Sequence, residues 1–137
     1  MARGTSVTRG FRQLVAEANA QVESLTAAEA MQRLSDSDVT LVDIRDLPEL
    51  EREGRIPGAV HASRGMLEFY VDPDGPYHKP ELLAGGSLLL YCASGGRSAL
   101  AAQRLQQMGL TSVAHIAGGI RAWVEAGGAV ERERAEP

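Results

Sequence analysis

Four short runs of aliphatic and β-branched residues, Val39 to Ile44, Val60 to Ala62, Ser87 to Tyr91 and Val113 to Ile116, alternate along the chain with segments of helical spacing. That alternation constrains the fold more than any other feature. Runs this apolar read as strands covered on both faces, and the intervening segments supply the covering helices. The pattern predicts an α/β domain with a central, mostly parallel sheet flanked by helices on both faces. In such sheets ligands sit beyond the carboxyl ends of the strands, so the residues after Ile44 and after Tyr91 should share one rim.

The helical segments can be read one by one. Phe11, Leu14, Val15, Ala18 and Val22 recur at helical spacing and predict an extra N-terminal helix over Phe11 to Glu23, packed on the domain or on a partner. Thr26 and Glu29 form a capping box that opens a helix over Ala27 to Leu34. Pro48 suits the first turn of a helix that runs to Glu53 and that Gly54 closes. Ile56-Pro57-Gly58-Ala59 and Asp72-Pro73-Asp74-Gly75-Pro76 are turns, with Gly65 to Val71 helical between them. Arg97 to Met108 is a helix stopped by Gly109, and the Gly118-Gly119 turn precedes a last one over Ile120 to Glu125, with Trp123 as a core anchor.

With 137 residues, 44% of them hydrophobic, the chain has the apolar material for a single core, and two full domains would be a tight fit. The expected organisation is a helical extension over residues 1–24, one domain over 25–130, and a charged, frayed tail over 131–137. A net charge of −4 argues against a nucleic-acid partner, which needs a basic surface. The single cysteine rules out an internal disulfide, and the separated His61, His78 and His115 lack zinc-ligand spacing, so no metal is expected. Asp72 and Asp74 are turn residues without the further oxygen ligands calcium needs. Arg3 and Arg9 are not followed by an apolar segment, and Leu82 to Ala93 is broken by Gly85, Gly86 and Ser87. Neither a secretory signal nor a membrane span is expected, and the location expected is cytoplasmic.

Chemistry concentrates in Cys92-Ala93-Ser94-Gly95-Gly96-Arg97-Ser98, which joins a buried strand to a helix. A lone cysteine at a strand end is more often a small hydrophobe than a nucleophile. The six residues after Cys92 reverse that reading. Gly95 and Gly96 let the backbone curl so that successive N–H groups face one atom, and the helix N-terminus adds its partial positive charge. Such surroundings favour the thiolate, the attacking form. Asp43 and Arg45 stand at the neighbouring strand end and are expected to organise the rim by pairing.

Three separated stretches also resemble the rhodanese-like sulfurtransferases, over Asp36 to Gly128. They are Leu41-Val42-Asp43-Ile44-Arg45 with Gly54-Arg55-Ile56-Pro57-Gly58-Ala59, then Cys92 to Ser98, then Ala117-Gly118-Gly119-Ile120-Arg121-Ala122-Trp123. Arg55 departs from the pattern, where the family often has histidine. The resemblance implies a single rhodanese-like domain in which Cys92 takes sulfur from a donor such as thiosulfate, holds it as a persulfide and passes it to cyanide or a thiol. It implies no cofactor beyond that covalent intermediate. Ala93, Ser94, Gly95 and Gly96 would cradle the sulfur while Arg97 and Ser98 brace the loop and add to its positive field.

Two rival readings share these residues. Related phosphatases and arsenate reductases use a loop one residue longer, whereas only four residues separate Cys92 from Arg97, a span suited to one sulfur atom rather than a tetrahedral oxyanion. Alternatively the domain is a carrier fed by another protein's persulfide, with the N-terminal helix as a docking element. Arg64 is a candidate for binding an anionic donor, His78 and Lys79 read as exposed loop, and His115 reads as structural rather than as a general base.

Overall fold

The structure is a computed structural model that describes residues 4–132. Five parallel strands form one sheet: β1 (Glu23–Leu25), β2 (Val39–Asp43), β3 (Val60–His61), β4 (Ser87–Tyr91) and β5 (Val113–Ile116), in the order β1-β5-β4-β2-β3. Six α-helices accompany them: α1 (Phe11–Gln21), α2 (Ala27–Arg33), α3 (Leu47–Glu53), α4 (Leu67–Val71), α5 (Gly96–Gln107) and α6 (Gly119–Glu125). This is a single α/β domain, and every ladder of the sheet is parallel.

Strand alternation divides the core. Leu88, Leu90 and Cys92 face a cluster with Val22, Leu67, Ala101 and Leu105, while Leu89 and Tyr91 face Leu25, Ile56, Ile120 and Trp123. The period of two thus turns Cys92 toward the α5 side of the sheet. On β5 the same alternation separates Val113 from Ala114 and Ile116, and it turns His115 to the side of Cys92.

The capping box at α2 is present, with Glu29 N–H donating to Thr26 Oγ1 at 3.1 Å and Thr26 N–H to Glu29 Oε1 at 2.8 Å. A second box, Asp46 with Glu49, starts α3. Trp123 is buried and its indole N–H donates to the Ala129 carbonyl at 2.8 Å.

The sequence reading needs four corrections. The N-terminal helix stops at Gln21, because Val22 is already extended and Glu23–Leu25 pairs with β5 as an edge strand. The expected boundary after residue 24 therefore falls inside β1. The segment before α4 opens as a 3₁₀ turn at Arg64–Met66, and another covers Pro80–Leu82. The tail expected to fray from Glu131 is pinned at that residue, where Glu131 and Arg55 exchange backbone hydrogen bonds of 2.8 Å in each direction. Residues 133–137 of that tail, like Arg3 of the N-terminal stretch in which no secretory signal is expected, lie outside the described residues. Among the described residues no helix is long and apolar enough to cross a membrane.

Candidate active site

The loop between β4 and α5 holds its sulfur from beneath. Cys92 is 1% exposed, and the Gly95 N–H donates to its Sγ at 3.1 Å. Gly95 sits at φ 104°, in the left-handed region that L side chains avoid. The N-terminus of α6 then fixes the other side of the loop. Ile120 N–H donates to the Cys92 carbonyl at 2.9 Å and Arg121 N–H to the Ala93 carbonyl at 3.2 Å. In a planar trans peptide the N–H points opposite to the carbonyl, so these bonds turn the Ala93 and Ser94 N–H groups away from α6. Glycine is required at 119 for that approach, since a Cβ there would meet the Cys92 carbonyl oxygen at 2.4 Å.

Arg97 braces the loop through α3. Its two Nη atoms each donate to a Glu49 carboxylate oxygen at 2.9 Å. Glu49 thereby sets a negative charge against the guanidinium, so whatever field Arg97 adds to the loop comes from a paired cation. The bidentate bond to Arg97, with the Asp46 N–H as a further donor, holds the Glu49 carboxyl at about 2 despite opposing burial. A carboxylate lowered on folding stabilises the protein above the ordinary carboxylate range and loses that contribution as pH falls toward the folded value. Glu49→Gln is therefore expected to lower the thermal midpoint at neutral pH, with the gap from the parent closing as pH approaches about 2.

Asp43 and Arg45 are fully buried and bonded to each other, Nη2 to Oδ2 at 2.8 Å and Nε to Oδ1 at 3.1 Å. Arg45 also donates to the Gly54 carbonyl at 2.7 Å and to Glu53 at 3.3 Å, tying the end of β2 to the end of α3. Its carbonyl bonds to His61 Nε2 at 2.7 Å. Tyr91 lies beside this pair and accepts the Ile56 N–H at 3.1 Å; burial, then the Asp43 carboxylate, raises its pKa and keeps its hydroxyl protonated. Arg64 donates to Glu68 at 2.8 Å, one helical turn along, and makes no bond to the Cys92 loop.

Ser98 stands between the sulfur and a histidine. Its Oγ is 3.6 Å from Cys92 Sγ and 2.8 Å from His115 Nδ1, and both Ser98 and His115 are buried. The far nitrogen, Nε2, is 2.8 Å from Asn19 Oδ1 and 3.0 Å from Ser24 Oγ. Burial lowers the His115 pKa and favours the neutral ring.

The family model for the rhodanese-like domain matches residues 26–126. The chain belongs to the rhodanese-like family. A sulfurtransferase from Allochromatium vinosum is 34% identical over 107 residues, covering 77% of this chain and 92% of that protein. Among solved structures, a Rhodopseudomonas palustris protein of unknown function, suggested to be a tyrosine phosphatase, is 48% identical with a TM-score of 0.87, covering 95% of this chain and all of that one. A thiosulfate sulfurtransferase from Pseudomonas aeruginosa is 26% identical with a TM-score of 0.72, covering 88% of this rhodanese-like chain and 22% of that one.

Within the rhodanese-like domain, sequence reasoning missed Glu49 and the clamp that the Gly118-Gly119 turn forms on the loop, and it read His115 as structural without finding its bond to Ser98. Glu49 could have been found as the N3 residue of the Asp46 capping box, though nothing local pointed to Arg97. Asn19 and Ser24 carried no signal at all, since each matters only through a contact between distant segments. Arg55, the visible departure from the family pattern, lies in the antiparallel bridge to Glu131 and not in the loop.

Proposed function

We propose that this domain is a sulfurtransferase that moves sulfane sulfur from a donor such as thiosulfate to cyanide or a thiol through a persulfide on Cys92. The Cys92 thiolate attacks the outer sulfur of thiosulfate, an S–S bond forms to Cys92, and the original S–S bond breaks with its electron pair leaving on sulfite. Cyanide then takes the terminal sulfur as thiocyanate and returns the thiolate. The observation that carries this reading is the loop itself: a buried sulfur receives the Gly95 N–H, while α6 holds the Cys92 and Ala93 carbonyls outward. Amides so oriented would stabilise the charge on a terminal sulfur. No metal or organic cofactor takes part in this scheme.

The name attached to the Rhodopseudomonas palustris structure raises the phosphatase reading, and the geometry gives two arguments against it. Only four residues separate Cys92 from Arg97, and both Arg97 Nη atoms are bonded to Glu49, leaving no fork aimed at a phosphate. The carrier reading keeps the same persulfide with a protein as donor. Its docking role for the N-terminal helix is weakened, because α1 packs against α5 and its Asn19 bonds to His115 of β5.

Turnover of the purified chain separates these readings. Thiosulfate and cyanide should yield thiocyanate catalytically, with no hydrolysis of a phosphate monoester. Phosphate release would overturn the proposal, and sulfur uptake only from a persulfidated protein would move it to the carrier class.

A further inference from the structure

Cys92 is 1% exposed, so the groups placed to take up its thiol proton within the fold are the polar side chains beside it. The polar groups beside it are arranged in a line. Ser98 Oγ lies 3.6 Å from the sulfur, His115 Nδ1 lies 2.8 Å from Ser98 Oγ, and Asn19 Oδ1 lies 2.8 Å from His115 Nε2. The Ser24 hydroxyl closes the far end, 3.1 Å from Asn19 Oδ1 and 3.0 Å from Nε2. These side chains come from α5, β5, α1 and β1, and His115 points to the Cys92 side because strand alternation turns it there.

We propose that His115 and Asn19 are positioning residues of a buried proton relay that runs from the Cys92 thiol through the Ser98 hydroxyl. The inference rests on the sulfurtransferase reading of Cys92 and deepens it.

The polarity of the line is set by its far end. Asn19 Oδ1 accepts from Nε2–H, which leaves Nδ1 as an acceptor for the Ser98 hydroxyl. Ser98 also has the Gly95 carbonyl in reach at 3.3 Å, but Nδ1 is the nearer acceptor at 2.8 Å. With its proton committed to Nδ1, Ser98 Oγ offers a lone pair to the thiol. Transfer moves the thiol proton to Ser98 and the Ser98 proton to Nδ1. The products are a thiolate that accepts a hydrogen bond from the Ser98 hydroxyl, and an imidazolium held by Asn19 and Ser24. No oxidant or further reactant is needed.

The relay also has an outlet. A recess of about 190 Å³ lies between α1 and the loop, lined by Asn19, Ser24 and His115 on one side and Ser94, Gly95 and Gly96 on the other. Protons can leave Nε2 there without the loop opening. The groups bonded to His115 are Asn19 from α1, Ser24 from β1 and Ser98 from α5; its register partner on β4 is Leu90, and no charged side chain bonds to it among the described residues. Through Ser98, the line from His115 ends at Cys92. Burial lowers the His115 pKa, so the neutral ring is the resting form, and the bonds from Asn19 and Ser24 have to offset the cost of the imidazolium.

The test reads the thiolate without any sulfur donor. Cys92 is the only cysteine, so the pH dependence of its alkylation by iodoacetamide reports its ionisation directly. In the full-length chain, His115→Gln should move the alkylation midpoint upward by about one pH unit or more, while the rate at high pH is kept. Asn19 is exposed on α1, so its variants are expected to fold. Asn19→Ala should move the midpoint up by less, and Asn19→Asp should move it down, because a carboxylate stabilises the imidazolium. A packing role would not give opposite shifts at one position. Midpoints unchanged in His115→Gln, or moved the same way by both Asn19 variants, would overturn the relay. Those outcomes leave the sulfurtransferase reading standing, whereas sulfur transfer by Cys92→Ser would sink that reading without touching the alkylation result.

Discussion

Cys92→Ser is expected to lose transfer of sulfur from thiosulfate to cyanide completely, with the urea midpoint unchanged. The swap keeps the side chain's size and leaves the Gly95 N–H an acceptor in place of Sγ. It removes the sulfur nucleophile, since an unactivated hydroxyl neither attacks a sulfane sulfur at a useful rate nor returns it to an acceptor. Because this is the chain's only cysteine, no second thiol can substitute. Thiocyanate production by the folded variant would remove Cys92 from the chemistry.

The largest expected effect on stability comes from the other rim position. Asp43→Ala leaves the fully buried Arg45 with only the Gly54 carbonyl and the Glu53 carboxylate as acceptors. Burial is the largest influence on Arg45 and opposes its charge, and in the intact protein the Asp43 hydrogen bonds, together with the nearby negative charges of Asp43 and Glu49, outweigh it and keep the pKa above the ordinary value. Breaking a buried pair from one side costs about 3–5 kcal/mol, a large share of the roughly 5–15 kcal/mol that holds a domain folded. Removing both partners together, as Asp43→Ala with Arg45→Met, should recover much of the loss, because no buried charge is then left unpaired. Urea unfolding of the two variants checks this. A single variant within about 1 kcal/mol of the parent would mean that the rim relaxes around the unpaired guanidinium.

These two residues also mark how far the sequence could be read. Val39 to Ile44 and Ser87 to Tyr91 announced their strands because runs of large aliphatic residues have few alternatives to burial. β1 did not, since Glu23–Leu25 is three residues long and buries only Leu25. Its strand character comes from pairing with β5, which local composition does not encode. The same limit applies to the site. Cys92, Gly95 and Gly96 declared themselves because their chemistry lies within one loop, and glycine at 95 answers a backbone requirement. Arg97 was visible but its charge balance was not, because Glu49 reaches it across 48 positions of sequence. Arg45 looked like a rim charge and is fully buried. His115 looked structural because its meaning depends on strand parity shared with Cys92 and on Asn19 arriving from α1.

The central claim is that Cys92 carries sulfur covalently, and intact mass spectrometry tests it most directly. The full chain is incubated with thiosulfate, freed of excess reagent and weighed, then treated with cyanide and weighed again. The account predicts a gain of one sulfur atom, mapped to the peptide containing Cys92, and its loss to cyanide with thiocyanate released. A mass unchanged by thiosulfate, or added sulfur that cyanide does not remove, would contradict it.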